Sequence, residues 1–151
     1  MSLDLTYRFA ADPRAIGPAR SRLQSWLDDV GVVGTDACEL VLVFSELAAN
    51  AVSAASAVSS TAGVDAADGT IDLTGRCESG SGVVLEVTGP GAILDPAKMA
   101  PPMPGAGSER GRGFAIVFAL TDRLEAERLG SETAVRAFKS VAGHRSRPTG
   151  Q

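Results

Sequence analysis

The chain has 151 residues, of which 44% are hydrophobic, and a formal net charge of −4. This length predicts a single domain with a full hydrophobic core. The acidic balance and the lack of a Lys/Arg cluster argue against a nucleic-acid-binding protein. Two cysteines are too few for a disulfide framework, and we find neither a secretory signal nor an apolar run near the roughly 20 residues that span a membrane. We therefore expect a cytoplasmic protein without direct contact to nucleic acid or membrane.

The first part of the sequence predicts a strand followed by a helix. Apolar residues alternate around residues 5–9, which is typical of an edge strand. Asp12 and Pro13 form a favourable helix start, and Gly31 a favourable stop. Between them the apolar residues recur at spacings of three and four: Ile16, Ala19, Leu23, Trp26, Leu27 and Val30.

Residues 36–56 predict a central helix. Asp36 is a good N-cap, and Glu39 three residues later completes a capping-box pattern. Glu46 and Asn50 lie one turn apart on a stripe turned away from the apolar side. A solvent-exposed stripe is the ordinary explanation of such a pair. The pair therefore indicates a functional site only in combination with motifs further along the chain. The expected core residues of this helix are Cys38, Leu40, Phe44, Leu47, Ala48 and Ala51.

The middle of the chain predicts a β-hairpin. Residues 54–69 form a low-information stretch that we expect to fray from the helix into a loop. Strands at 71–76 and 83–87 follow, joined by a Ser/Gly turn. Because no helix separates these strands, a doubly wound fold is excluded. The order favours an α+β fold, a two-layer sandwich whose mixed, mainly antiparallel sheet is covered by helices on one face.

The last third begins with a long loop at residues 92–110, which is rich in proline and glycine. A loop of this length in a compact domain is typical of a lid or a binding loop. A glycine-rich loop that enters a helix presents free N–H groups and the positive end of the helix dipole, which suits a phosphate. A flexible loop whose glycines only permit turns would also account for these residues. The candidates for this cradle are Gly105, Gly107, Arg110, Gly111, Arg112 and Gly113.

The end of the chain predicts an apolar helix from Gly111, a strand at 122–129, a turn at Gly130 and a final strand at 133–141. We expect one domain over residues 1–141 and a disordered tail over 142–151.

Four motifs in this order resemble the GHKL superfamily of ATPases, the Bergerat fold of histidine kinases, gyrase and Hsp90. SELAANAV at 45–52 is similar to the N-box, and TGPGA at 88–92 to the first glycine box. GRGFAIVFALTDRLE at 111–125 is similar to the second glycine box, and GSETAV at 130–135 to the closing strand pair. Within the superfamily the chain resembles the small anti-sigma factor serine/threonine kinases of bacterial partner-switching systems.

The resemblance implies a role for each matching residue, with ATP and Mg²⁺ as cofactors. Glu46 would be the general base, and Asn50 would hold Mg²⁺ through its amide oxygen. Thr133 would lie near the adenine. The implied nucleotide-binding residues are Asn50, Thr88, Gly89, Gly91, Gly105, Gly107, Arg110, Gly111, Arg112, Gly113 and Thr133.

The resemblance also implies a function: ATP-dependent phosphorylation of a serine on an anti-anti-sigma protein of the STAS type, which controls the availability of a sigma factor. A homodimer is implied as well. One residue departs from the family pattern. The first glycine box usually begins with an Asp that receives the adenine amino group, and Val87 stands at that position. Thr88 follows it, but strand alternation points its hydroxyl to the opposite face.

Two alternatives stay open beside the kinase. A nucleotide-free adaptor would keep the fold and only sequester a sigma factor or an antagonist. A histidine-phosphotransfer protein or a detached half of a sensor kinase is disfavoured, because the single histidine, His144, lies in the expected tail.

Overall fold

The structure is a computed structural model that describes residues 3–62, 69–78, 82–91, 93 and 109–141. The expected tail over 142–151 lies outside the described residues, as does most of the loop over 92–110. The helices and strands, in chain order, are β1 (Leu5–Ala10), α1 (Ile16–Asp29), α2 (Gly34–Ala62), β2 (Thr70–Glu78), β3 (Gly82–Pro90), α3 (Glu109–Leu120), β4 (Arg123–Leu129) and β5 (Glu132–Ser140).

The five strands form one sheet in the order β1-β2-β3-β5-β4. Every described pairing is antiparallel, so the sheet is not mixed as expected. The two hairpins, β2-β3 and β4-β5, account for two of the four pairings, because a short turn can join only antiparallel strands. The predicted α+β sandwich is confirmed, since the helices cover one face. The strand residues that form the core on that face are Leu5, Phe9, Ile71, Leu73, Val83, Leu85, Val87, Val135 and Ala137.

The end of α1 follows the predicted signal, whereas the helix starts at Ile16 rather than at Pro13 and has no side-chain cap. The Asp12 carboxylate accepts a hydrogen bond from the backbone N–H of Arg14 at 2.9 Å, and Pro13 opens a short 3-10 turn that leads into the helix. Gly31, at φ +82°, ends it in the left-handed conformation that favours glycine. Trp26 is buried as expected, and its indole N–H donates to the carbonyl of Leu3 at 2.8 Å.

Helix α2 is longer at both ends than the sequence predicted. It begins at Gly34, so Asp36 lies in the first turn rather than at the N-cap. It continues to Ala62, because the Ala/Ser/Thr stretch contains no glycine or proline before that point. Cys38 is exposed and not part of the core.

The segment Gly34–Val58 of this helix has the length and composition to cross a membrane, with a mean hydropathy of 1.6. The expectation that no apolar run reaches this length is therefore wrong. Packing accounts for the composition, because one side of the segment lies at the centre of the core against the sheet. The buried residues on that side are Leu40, Val43, Phe44, Leu47, Ala48, Ala51, Val52 and Ala55.

The outer face of the sheet, opposite the helices, carries cross-strand ion pairs. Arg136 lies 3.0 Å from a Glu127 oxygen and 2.5 Å from a Glu86 oxygen. Hydrogen bonds to these two carboxylates raise the pKa of Arg136. Arg8 pairs with Asp72 at 2.8 Å. The outer face is therefore polar, which is typical of an antiparallel sheet with one solvated side.

Lys139 on β5 links the sheet to α2 and to the end of α3. Its side chain is only 11% exposed, and its Nζ lies 2.5 Å from a carboxylate oxygen of Glu39 on α2. The same Nζ donates to the carbonyl of Leu120, at the end of α3, at 2.9 Å. Glu39 is thus used in a tertiary ion pair, and the carbonyl is one of those that a helix leaves unpaired at its C-terminus.

We expect Lys139→Met to lower the free energy of unfolding by about 1–2 kcal/mol, because a mostly buried carboxylate and a helix-end carbonyl lose their donor. Methionine keeps the packing of the lysine stem. Urea denaturation measures the change. The matched control is Arg76→Met, which removes an exposed pair with Glu78 and should cost less than about 0.5 kcal/mol. Equal losses in the two variants would contradict the bridging role of Lys139.

Candidate functional site

The sheet has a polar floor on its helix-facing side, at the end where β3 stops. Gly89 on β3, Thr133 on β5 and Arg128 on β4 are direct cross-strand neighbours there. Strand alternation gives them the same orientation, since Arg128 follows Leu124 and Ala126, the residues of β4 that pack on the core. The helix-facing surface thus becomes polar at this end over β5 and β4, whereas Phe9 and Ile71 keep the same row apolar over β1 and β2.

Helix α2 passes directly over the end of β3. Gly91 has φ +82°, and a Cβ placed on it would lie 2.8 Å from the carbonyl oxygen of Ala54 and 2.9 Å from Val58 Cγ2. Glu46, Asn50, Ala54 and Val58 are spaced four residues apart and form one stripe of the helix. The stripe that carries the two polar residues therefore leads to Gly91.

Glu46 and Asn50 are both half-buried. Within the described part of the chain, neither side chain has a hydrogen-bond or ion-pair partner. The neighbouring Ser45 differs, since its hydroxyl donates to the Val41 carbonyl at 2.7 Å and accepts from Arg20 at 3.0 Å. No described residue therefore competes with a ligand for this carboxylate or this carboxamide.

Thr133 is completely buried, and among the described residues it is the one polar side chain in the buried class. Its hydroxyl donates to the carbonyl of Gly91 at 2.5 Å and accepts from Arg128 Nη1 at 3.0 Å. Gly91 is held a second time, because its N–H donates to the Ser131 carbonyl at 2.9 Å. These bonds fix the exit of β3 to the β4-β5 hairpin.

Val87 is fully buried, one row inward from Gly89 on the same face. It offers no hydrogen-bond acceptor to this end of the sheet. Thr88 lies on the outer face, where its cross-strand neighbours are Asp72 and Ala134. The Thr88 hydroxyl is therefore separated by the sheet from Glu46 and Asn50, although the motif match had placed it among the nucleotide-binding residues.

The sequence profile of the histidine kinase-like ATPase domain matches residues 9–139, from the first strand of the sheet to the last. The chain belongs to this family. No protein of curated function matches the sequence.

A solved structure with a similar fold contains the RsbU and RsbW domains of Rv1364c from Mycobacterium tuberculosis. It superposes on this ATPase domain with a TM-score of 0.65 at 19% sequence identity, over 95% of this chain and 34% of that one. The ATPase domain thus spans about a third of the chain it resembles. At this identity the similarity concerns the fold.

Packing within the ATPase domain requires a glycine at Gly91, and it leaves little room at Gly89, the other glycine of the first glycine box. The position of a Cβ on Gly91 is filled by α2, and one on Gly89 would lie 3.3 Å from Ile71 Cγ1 and 3.7 Å from Ile93 Cδ1. The role in nucleotide binding that the resemblance implies for these two glycines stays a prediction.

The second glycine box of the ATPase domain opens α3, as predicted. The helix begins at Glu109, two residues before the expected start, so Arg110, Gly111 and Arg112 fall in its first turn and Gly113 follows. The unpaired N–H groups of that turn are suited to an anion. Gly105 and Gly107 lie outside the described residues.

The donor set fits Mg²⁺ only in the company of a phosphate ligand. No group of three His, Cys, Asp or Glu side chains that could hold a metal occurs among the residues that the structure describes. Glu46 and Asn50 supply hard oxygen atoms, and Mg²⁺ is typically held by one or two such protein ligands together with substrate phosphates.

Cys77 is unsuited to nucleophilic chemistry, because burial raises the pKa of its thiol.

Arg128 is the residue of this site that the motifs did not indicate. It belongs to none of the four motifs, so the resemblance assigned it no role. One signal was present in the sequence, because alternation along RLEAERL places this arginine on the same side as Leu124 and Ala126.

Proposed function

We propose that this histidine kinase-like ATPase domain is a cytoplasmic regulatory kinase of the anti-sigma factor type. It binds a nucleoside triphosphate, which the family resemblance names as ATP, together with Mg²⁺. It transfers the terminal phosphoryl group to a serine of a STAS-type antagonist, and so controls the availability of a sigma factor. The observation that carries the proposal is the half-buried pair of Glu46 and Asn50, which has no partner among the described residues and lies on the helix stripe that leads to Gly91.

Each residue of the pair has its own task. The Glu46 carboxylate accepts the proton of the serine hydroxyl as that oxygen attacks. The Asn50 amide oxygen would hold Mg²⁺, which when bound would offset the negative charge of the phosphates. The first turn of α3 donates N–H groups to the same phosphates. Glu46 thus serves proton transfer, whereas Asn50 and the first turn of α3 serve phosphate binding.

The partners rest on the resemblance of the four motifs to anti-sigma factor kinases. The same resemblance is the basis for expecting a homodimer. The similar solved structure supports the fold of the domain. It is not the basis for the proposed partners.

Isothermal titration with MgATP tests the nucleotide site. Asn50→Ala should weaken binding about 10- to 100-fold, because the metal loses a hard ligand worth roughly 1.5–3 kcal/mol. Gln24→Ala is the matched control, since it truncates an exposed carboxamide on α1 and should leave the affinity unchanged. Equal affinities of wild type and Asn50→Ala would show that the amide does not serve the metal. Absence of binding at millimolar ATP would remove the kinase proposal.

A nucleotide-free adaptor is the second candidate, and the burial of Val87 favours it. An aliphatic side chain at this position offers no acceptor to an amino group of a base. This candidate predicts that the domain binds its partner equally well with and without nucleotide. Phosphoryl transfer to a purified STAS-type antagonist that Asn50→Ala abolishes would rule it out.

A further inference from the structure

Strand β1 ends the sheet on one side, so one side of its backbone has no neighbouring strand in the described part of the chain. The N–H of Ala11 donates to the Gly69 carbonyl at 3.0 Å, which continues the ladder between β1 and β2. Hydrogen-bonded pairs alternate along such a ladder, so the odd residues of β1 direct their backbone groups to β2. The N–H and C=O groups of Asp4, Thr6 and Arg8 therefore point away from the sheet, and no described residue bonds to them.

The strand itself carries none of the features that usually prevent the addition of another strand. Such features are proline, lysine or a bulge. The segment Leu5–Ala10 contains neither proline nor lysine, and its register against β2 is continuous. The charged residue within it is Arg8, which pairs with Asp72 on the outer face at 2.8 Å. The free side of β1 can therefore accept a further strand.

A second copy of β1 supplies a strand that matches this free side. Two identical strands can pair antiparallel about a twofold axis. With the axis at Thr6, this residue faces its own equivalent, and Asp4 faces Arg8 of the second copy. Each facing pair exchanges two backbone hydrogen bonds, so the three pairs give about six. The backbone groups of these residues that point away from the sheet are then all bonded.

The charges of the strand select this register over its neighbours. Asp4 is exposed and has no ion-pair partner among the described residues, whereas Arg8 keeps N–H donors beyond those in its cross-strand pair. An axis at Tyr7 would place Asp4 opposite Ala10, and an axis at Arg8 would place two guanidinium groups opposite each other. The axis at Thr6 joins opposite charges at two symmetric places.

We propose that β1 pairs with β1 of a second copy about a twofold axis at Thr6, which joins the two five-stranded sheets into one. The inference rests on the proposed function for the expectation of a homodimer, and it names the surface of that homodimer. It uses no residue of the nucleotide site. Pairing also removes apolar surface from water, because Leu3 is 56% exposed and Tyr7 is half-buried on the same strand side.

Analytical ultracentrifugation of the full chain, which measures the dissociation constant of the dimer, tests the backbone pairing. Thr6→Pro removes an N–H that points to the second copy and is not used in the ladder with β2, so the fold should persist. We expect the dissociation constant to rise at least about 10-fold, because the loss occurs twice by symmetry. Thr6→Val is the matched control, since valine keeps the N–H and the branched shape, and it should dimerise like the wild type. Circular dichroism checks the fold of each variant.

A pair of charge reversals tests the register. Asp4→Arg and Arg8→Glu each place like charges opposite each other at both symmetric places, so each variant alone should dimerise at least about 10-fold more weakly. An equimolar mixture of the two should recover dimers, because every facing pair in the mixed dimer then joins opposite charges. Arg123→Glu, a reversal on β4 at the other end of the sheet, is the matched control and should dimerise like the wild type.

The outcomes separate this inference from the function it builds on. A wild type that stays monomeric at its highest soluble concentration overturns the inference and the homodimer, and leaves phosphoryl transfer to be decided by Asn50→Ala. A dimer that persists unchanged in Thr6→Pro overturns the surface and leaves the homodimer intact. Failure of the mixture to recover dimers overturns the register. Loss of nucleotide binding beside an intact dimer overturns the kinase proposal alone.

Discussion

Glu46→Gln is expected to lower the rate of phosphoryl transfer by about 10²- to 10⁴-fold, the range that a general base usually contributes. Glutamine has the same shape as glutamate but cannot accept the proton of the attacking serine hydroxyl at neutral pH. The affinity for the Mg-nucleotide should change by less than about 3-fold, because Asn50, one turn away, is the proposed metal ligand. The variant thus separates chemistry from binding.

Single-turnover transfer of labelled γ-phosphate to a purified STAS-type antagonist measures the rate, and calorimetry on the same preparation measures the affinity. Glu78→Gln is the matched control, because this glutamate is exposed on β2 and pairs with Arg76. It should transfer at the wild-type rate. A wild-type rate in Glu46→Gln would show that the residue is not the base. A parallel loss of rate and affinity, each beyond about 10-fold, would assign Glu46 to binding.

Gly91→Ala is expected to lower the free energy of unfolding by about 3 kcal/mol. Two costs add at this position. A side chain at φ +82° is strained by about 1–2 kcal/mol, and the new Cβ would lie 2.8 Å from the Ala54 carbonyl oxygen, where crowding costs about 1–3 kcal/mol. Since that oxygen belongs to the backbone of α2, the helix must move for the Cβ to fit.

Gly130→Ala is the matched control for this effect. It has a similar backbone conformation, φ +66°, but nothing lies within 4 Å of the position of its Cβ. The control should therefore show the conformational cost alone, about 1–2 kcal/mol. Urea denaturation of the two variants gives the difference. Equal losses would mean that α2 does not press on the end of β3.

Much of the fold followed from periodicity and from turn residues. The five strands and the end of α1 were predicted, because apolar alternation and a glycine after the last helical turn are local signals. The ends of α2 were not predicted. Residues beyond Ser56 are alanine, serine, valine and threonine without an apolar period, so nothing local distinguishes a fraying end from a helix. The contact of Val58 and Ala54 with Gly91 extends the packed part of this helix, and that contact is tertiary.

The ion pair of Lys139 with Glu39 is a second tertiary contact that local sequence signals did not predict. The spacing of Asp36 and Glu39 fits a capping box, which is a local interpretation. A lysine one hundred residues further along the chain takes the glutamate instead, and only the arrangement of β5 beside α2 brings them together. Sequence motifs likewise indicated Glu46, Asn50 and Thr133. Alternation along β4 gave only the side on which Arg128 lies, and the register of β4 against β5 was needed to place it beside Thr133.

The charges on β4 have a consequence for self-association. This strand closes one edge of the sheet, and edge strands invite pairing with strands of other chains. On its outer face it carries Glu125 and Glu127, which already balance Arg123 and Arg136. A second copy that added its own strand here would pull these charged side chains from water. We therefore expect the domain to resist growth into continuous intermolecular sheets at this edge, and any twofold assembly to use another surface.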